Sequence, residues 1–197
     1  DPALFGRFFG FARKTLPSWD PNELSQLCNA FAASSRRARE RTPAAGWAAI
    51  AMRCAEVLQR ANSAQMACMA HALNGVDAPE DAVAEFFDAL EDLLCCRPRV
   101  GDFMSAQDVA MIAHGFARHR RPRQASADGG PHPPEQPGTR WAFEEHASRR
   151  IGELTPQGLA LVLHASVRLG RGGAPLFAAL AARLRGVRGE LAGPGLA

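Results

Sequence analysis

Several features are missing from this sequence, and each absence narrows the range of possible functions. The 197 residues include no tyrosine, and Lys14 is the sole lysine among 23 basic residues. No run approaches the roughly 18–20 consecutive apolar residues of a membrane helix, so the sequence predicts no membrane association. The Gly-x-Ser-x-Gly, P-loop and dinucleotide-binding motifs of common enzymes are also missing. We therefore expect no catalytic residue, no cofactor and no small-molecule substrate.

The cysteines predict neither a disulfide framework nor a zinc site. They are odd in number, they form no Cys-x-x-Cys motif, and four of them fall within apolar helical patterns. Such cysteines are typical of small core residues in a reducing compartment. The five are Cys28, Cys54, Cys68, Cys95 and Cys96. We expect no bound metal.

The composition favours an all-α fold. Alanine is abundant and β-branched residues are few, which favours helices over strands. The basic residues are nearly all arginine, whose planar side chain binds phosphate through two hydrogen bonds and stacks on bases. A GC-rich genome would explain the excess of arginine, alanine and glycine equally well. The sequence begins at Asp1 rather than at methionine, so we expect a processed or partial chain.

One twelve-residue phrase occurs four times and is the main feature of the sequence. It reads DPNELSQLCNAF from Asp20, NSAQMACMAHAL from Asn62, SAQDVAMIAHGF from Ser105 and TPQGLALVLHAS from Thr155. The residue in the first place of each phrase is a good helix N-cap. The fifth and eighth places are apolar, and the eleventh is always alanine or glycine. This spacing predicts a helix with one buried stripe, approached closely by a neighbouring backbone at the eleventh place.

Second helices are predicted between the phrases, so that each unit forms a helical hairpin. These helices are expected at Ala44–Arg60, Glu80–Cys95, Trp141–Leu154 and Pro175–Leu184, and Ala3–Thr15 resembles the second helix of an earlier unit. Hairpins in tandem bury their apolar faces against one another, which predicts an α-solenoid of about four stacked hairpins. The whole chain, 1–197, is then one domain with units near 20–61, 62–104, 105–154 and 155–190. The glycine- and proline-rich segment 120–138 is expected to be a flexible loop within the third unit.

The phrase resembles the octotricopeptide- and heptatricopeptide-type repeats of organellar RNA-binding proteins. These repeats are related to the helical repeats found with RAP domains and in FAST-kinase-like proteins. DPNELSQLCNAFA (20–32) and SAQDVAMIAHGFAR (105–118) carry the resemblance best, and it extends over about residues 20–186. In the fourth phrase Ser166 stands where an aromatic residue or leucine is typical. No RAP domain is visible at the C-terminal end.

The resemblance implies an RNA-binding protein of mitochondria or plastids. Several proteins of this kind are structural components of organellar ribosomes, so we expect a ribosomal protein of the mitochondrial matrix. Its expected partners are RNA, chiefly ribosomal RNA, and other ribosomal or organellar proteins. The alternative is a helical-repeat scaffold that binds only protein. An electropositive arginine edge would favour RNA, whereas an apolar or acidic groove would favour the scaffold.

The tenth place of the phrase offers one hydrogen-bonding side chain per unit. Its occupants are Asn29, His71, His114 and His164. They could face RNA along one groove, or each could lie at the core edge and bond a carbonyl of the next hairpin. We favour the second interpretation, because this place directly follows a buried one.

Arginines follow three of the four phrases and predict a phosphate-binding edge. All are expected in the turn that leaves a first helix, where stacking would align them; a merely solubilising role is the alternative. The set comprises Arg36, Arg37, Arg39, Arg41, Arg118, Arg120, Arg121, Arg123, Arg168 and Arg171. The second unit has no arginine in this turn.

The second unit instead carries a run of acidic residues without a basic one. They are Asp77, Glu80, Asp81, Glu85, Asp88, Glu91 and Asp92. A solvated outer face is the favoured interpretation, with docking to a basic protein as the alternative.

Overall fold

The computed structural model describes residues 10–12, 14–38, 44–74, 76, 78–119, 142–169 and 172–191. Within these ranges the chain is mostly helical and contains no β-strand, which confirms the all-α prediction. The α-helices with defined bounds are α1 (Pro21–Ala38), α2 (Ala44–Val57), α3 (Ser63–Asn74), α4 (Glu80–Cys96), α5 (Pro98–Asp102), α6 (Ala106–His119), α7 (Ala142–Arg150), α8 (Pro156–Arg168) and α9 (Ala174–Leu191). Single 3-10 turns follow α2 and α7 at Leu58–Arg60 and Ile151–Glu153.

The four repeated phrases form α1, α3, α6 and α8, here called the first helices. Their predicted N-caps are confirmed. The Glu23 amide donates to Asp20 Oδ1 over 2.9 Å, and the Asp108 amide donates to Ser105 Oγ over 3.1 Å. The Gln65 and Gly158 amides donate in the same way to the side chains of Asn62 and Thr155.

In three first helices the cap is reciprocal. The side chains of Glu23, Gln65 and Asp108 each accept a hydrogen bond from the backbone amide of their own capping residue, over 2.9–3.0 Å. Such a capping box satisfies two amides that the helix itself leaves without partners. The fourth helix has Gly158 at this position and keeps only the forward bond. The start of every first helix is thus fixed by local sequence.

The first helices contact one another in chain order, α1 with α3, α3 with α6 and α6 with α8. The helices between them, α2, α4, α7 and α9, are the second helices. Among them, α2 contacts α4, and α7 contacts both α4 and α9. The short helix α5, which the sequence did not predict, packs against α7. Arg149 and Arg150 of α7 fasten it, because they bond the Asp102 side chain and carbonyl over 2.9 and 2.7 Å.

The predicted apolar stripe of the first helices is the core. Its fifth- and eighth-place residues are all buried, with at most 6% of their surface exposed. They are Leu24, Leu27, Met66, Met69, Val109, Ile112, Leu159 and Val162. Trp47 of α2 is buried as well. The predicted helix Ala3–Thr15 is described at residues 10–12, 14 and 15 alone, and Trp141 and loop 120–138 lie outside the described residues.

Two predictions about burial were wrong in part. Ala72, Gly115 and Ala165 of the eleventh place are buried, but Ala30 is exposed, because α1 has no first helix before it in the described residues. Cys28 and Cys54 are core residues, whereas Cys95 and Cys96 are exposed. Those two cysteines end α4, where the chain turns towards α5 and leaves the helix bundle.

Phe87 of α4 lies at the centre of an aromatic cluster that packs against α6. Its ring contacts Phe116 at a centroid distance of 5.3 Å and stacks on His119 at 5.0 Å. Gly115 lies directly above it, since a Cβ atom at this position would stand 2.7 Å from the Phe87 ring and 3.4 Å from the Ala70 carbonyl oxygen. The eleventh place is therefore small in α6 because an aromatic ring and a neighbouring backbone already fill the space.

We expect Gly115→Ala to destabilise the protein although alanine is the better helix former. Overpacking against the buried Phe87 ring should lower the free energy of unfolding by about 1–2 kcal/mol net, after roughly 1 kcal/mol gained in helix propensity. Gly186 of α9 is the matched control, because nothing lies within 4 Å of a Cβ atom there. Gly186→Ala should stabilise by about 0.5–1 kcal/mol. Urea unfolding of both variants measures this, and a stabilised Gly115→Ala variant would contradict the packing described.

Candidate nucleic-acid interface

The tenth-place side chains lie on one face of the row of first helices. Asn29 and His164 are exposed, and His71 and His114 are half-buried. The rings of His114 and His164 are 6.3 Å apart between centroids, although 50 residues separate them in sequence. We call Asn29, His71, His114 and His164 the tenth-place row. Because each first helix starts at a capped residue and contacts the next, the same place recurs on the same face of each helix.

The preceding first helix orients His114. The Asn74 side-chain amide, at the last residue of α3, donates from Nδ2 to His114 Nδ1 in α6. In this arrangement Nδ1 accepts the bond, which an imidazole nitrogen does only while it carries no proton. Asn74 itself is buried with 2% of its surface exposed. The ring of His114 is thus held in place by a buried side chain of the preceding first helix.

The electrostatic surroundings also favour neutral His114. Burial lowers the pKa of His114, and the neighbouring His164, His71 and Arg118 lower it further because each is or can become positively charged. A neutral imidazole can donate and accept hydrogen bonds and can stack on a ring. The row therefore offers the polar and planar groups that bind unpaired bases in RNA.

Arg118 and Arg168 continue the tenth-place row by one helical turn. Each stands four residues after a row histidine, in the last turn of its first helix, and each is exposed. They lie within the helices rather than in the turns predicted for them. The spacing of four residues places them beside His114 and His164 on the same face. They bring positive charge to the α6–α8 half of that face.

The side chains of the other predicted arginines all lie outside the described part of the chain. Arg36 and Arg37 belong to the last turns of α1, again inside the helix, and their side chains lie outside the described part of the chain. The rest also fall outside the described residues, namely Arg39, Arg41, Arg120, Arg121, Arg123 and Arg171.

Six of the seven acidic residues of the second unit lie on the second helix α4. Glu80, Asp81, Glu85, Asp88 and Asp92 of α4 are exposed, as expected for a solvated face, and Glu91 is half-buried. Asp77 lies outside the described residues. Glu80, at the start of α4, lies near His119 at the end of α6.

A polar cleft between α5 and α7 is a weaker candidate. Asp102, His146, Arg149, Arg150 and Glu153 line it. Its charges are paired internally, since Arg149 binds Asp102 over 2.9 Å and Arg150 binds Glu153 over 3.3 Å. Burial lowers the pKa of His146, which favours its uncharged form. No group of three or more metal-ligating side chains is found among the residues that the structure describes.

Sequence reasoning identified the row but not the environment of its members. The core-edge interpretation is wrong for Asn29 and His164, which are exposed, and His114 bonds a side chain rather than a carbonyl. Asn74 was missed because it occupies the thirteenth place, one residue beyond the repeated phrase. The sequence does distinguish Asn74, because it is polar at a place where the other units carry Ala32, Ala117 and Val167.

Comparison with known proteins assigns no family to the chain, since neither a protein-family model nor a curated protein matches it. None of the described helices is both long enough and apolar enough to cross a membrane.

We expect Asn74→Ala to raise the pKa of His114. Asn74 bonds the neutral ring through Nδ1, and protonation of that nitrogen breaks the bond, so the bond holds the pKa down. An NMR titration of the His114 ring protons measures the change. The ring of His146, in the cleft between α5 and α7, contacts neither Asn74 nor His114 and serves as the internal reference. If the pKa of His114 is unchanged or lower in Asn74→Ala, the bond from Asn74 does not lower the pKa of this ring.

Proposed function

We propose that this chain is an RNA-binding helical-repeat protein that uses the exposed face of its first helices. The observation that carries the proposal is the tenth-place row, which places Asn29, His71, His114 and His164 on one face and is continued by Arg118 and Arg168. A protein-binding scaffold would not require one asparagine or histidine side chain per first helix beside exposed arginines. We propose no catalytic step and no cofactor for this chain.

The architecture we propose is an α-solenoid of about four stacked hairpins. Contacts of each first helix with the next one in sequence support it, as do contacts of α4 with α2 and α7 on the second layer. Stacking in this order makes a continuous surface of equivalent side chains, which suits an extended polymer. The whole of residues 20–190 then acts as one binding unit.

In this proposal the arginine and histidine side chains bind different parts of the RNA. Arg118 and Arg168 are exposed and suit phosphate oxygens, which give affinity without regard to sequence. The neutral ring of His114, held by Asn74, suits stacking on a base or hydrogen bonding to its edge. His164 is 6.3 Å away between ring centroids, so a base and the adjoining phosphate could contact neighbouring helices.

The cellular setting follows from the resemblance of the phrases at 20–32 and 105–118. On that basis we propose a structural component of a mitochondrial ribosome, located in the matrix. Its partners would be ribosomal RNA and neighbouring ribosomal or organellar proteins, without membrane attachment and without a small-molecule substrate.

Salt dependence of RNA binding tests the proposal. We expect Arg118→Ala with Arg168→Ala to weaken binding to mixed-sequence single-stranded RNA, because phosphate contacts are lost. The slope of log Kobs against log salt concentration should flatten by roughly 0.7 for each contact removed. Fluorescence anisotropy at several salt concentrations measures both quantities.

Two control variants separate this site from net charge. Arg99→Ala with Arg185→Ala removes the same charge from α5 and α9, where both residues are exposed, and should leave the salt slope nearly unchanged. Alanine at Glu85, Asp88 and Asp92 should leave affinity unchanged or raise it slightly, since these groups repel phosphate. Binding insensitive to salt and to Arg118 and Arg168, or no RNA binding at all, would favour the protein-binding scaffold.

A further inference from the structure

Two buried thiols of the first hairpin are in contact with each other. Cys28 belongs to α1 and Cys54 to the second helix that follows it, α2, and both side chains are fully buried. Their Sγ atoms are 3.7 Å apart, and one thiol donates a hydrogen bond to the other. The two residues are 26 positions apart in sequence, so the packing of α1 against α2 brings them together.

The repeat does not require a thiol at this position. Cys28 occupies the ninth place of the phrase, where the other first helices carry Ala70, Ala113 and Leu163. Ala70 and Ala113 are as fully buried as Cys28, so a methyl group satisfies the packing of this place. The contact between two sulfur atoms is therefore specific to the first hairpin.

The third cysteine of this region has a different partner. Cys68 of α3 is half-buried, and its Sγ donates to the Ser25 carbonyl of α1 over 3.4 Å. Its thiol is thus bonded to the backbone of α1, whereas the thiols of Cys28 and Cys54 are bonded to each other. Cys95 and Cys96 lie at the far end of α4 and are exposed. Cys54 is accordingly the partner that the packing gives to Cys28.

The pair is unreactive while the hairpin is closed. The hydrogen bond with Cys54 and burial raise the pKa of the Cys28 thiol, and a protonated buried thiol is a poor nucleophile. Oxidation therefore requires local opening of α1 from α2. Such opening is easiest for elements with few neighbours, and α1 begins the row of first helices in the described part of the chain, where Ala30 is exposed.

We propose that Cys28 and Cys54 form an intramolecular disulfide when the protein meets a small-molecule disulfide such as oxidised glutathione, and that this bond fastens α1 to α2. One protein thiolate attacks a sulfur atom of the oxidant, whose S–S bond breaks and releases one small thiol. The other protein thiolate then attacks the mixed disulfide and releases the second small thiol. Two protein thiols thus become one S–S bond, and their two electrons and two protons pass to the oxidant.

The closed hairpin favours the second step. A disulfide has an S–S distance of about 2.05 Å, so sulfur atoms that are 3.7 Å apart need to approach by only about 1.7 Å. The bond closes the chain from residue 28 to residue 54 into a loop, which stabilises the folded state by restricting the unfolded chain. The inference does not depend on RNA binding, because it concerns buried residues away from the exposed tenth-place row.

The experiment treats the folded Cys95→Ser, Cys96→Ser variant of the full chain with oxidised glutathione, which removes the exposed thiols from the reaction. Trypsin then places Cys28, Cys54 and Cys68 in three separate peptides, 15–36, 54–60 and 61–99. Mass spectrometry without reduction should find peptide 15–36 linked to peptide 54–60, and dithiothreitol should separate them. The urea midpoint of the oxidised protein should exceed that of the reduced protein by at least about 0.5 M.

Three further variants provide the controls. Cys54→Ala and Cys28→Ala should each abolish both the linked peptides and the rise in midpoint, whereas Cys68→Ala should retain both. Each comparison is between the oxidised and reduced forms of one variant, so a loss of stability from the substitution itself does not enter. A bond from Cys28 to Cys68, or Cys28 and Cys54 left as thiols or glutathione adducts, would overturn the proposal. A linked pair without a rise in midpoint would overturn the claim that the bond fastens the two helices.

Discussion

Close contact between successive first helices is the constraint on which the rest of this structure depends. Neighbouring helices approach only as far as their side chains allow, typically 8–10 Å between axes. Here the facing residues are mostly alanine, glycine and cysteine, and a Cβ atom at Gly115 of α6 would be in van der Waals contact, at 3.4 Å, with the Ala70 carbonyl oxygen of α3. That proximity brings His114 within reach of Asn74 and His164. Larger side chains at these places would separate the members of the row and leave isolated histidines.

The capping boxes supply the second requirement, which is register. A row of equivalent side chains forms only if every helix starts at the same point in the repeat. Asp20, Asn62, Ser105 and Thr155 fix that start through hydrogen bonds to the third residue beyond them. The tenth place then always lies two and a half turns along the helix. Local capping and long-range packing thus agree, which is typical of a sequence that specifies one arrangement.

Much of this could be predicted from sequence because it depends on short-range patterns. The first helices, the four caps and the buried fifth and eighth places all follow from spacing within the phrase. Other features depend on contacts between units. The exposure of Ala30 reflects a missing neighbour, the role of Asn74 depends on the next helix, and α5 is held by Arg149 and Arg150 of α7. Arg118 and Arg168 were expected in turns, but the helices extend through them, so they join the row instead of forming a separate edge.

We propose that the face of the first helices that carries the tenth-place row binds RNA. Ultraviolet crosslinking of the purified chain to single-stranded RNA, with mass-spectrometric mapping of the crosslinked peptides, tests it most directly. We expect crosslinks concentrated in the peptides of α6 and α8 that contain His114 and His164, where arginine lies beside the row. Crosslinks confined to α2, α4, α7 and α9, with none on a first helix, would contradict it.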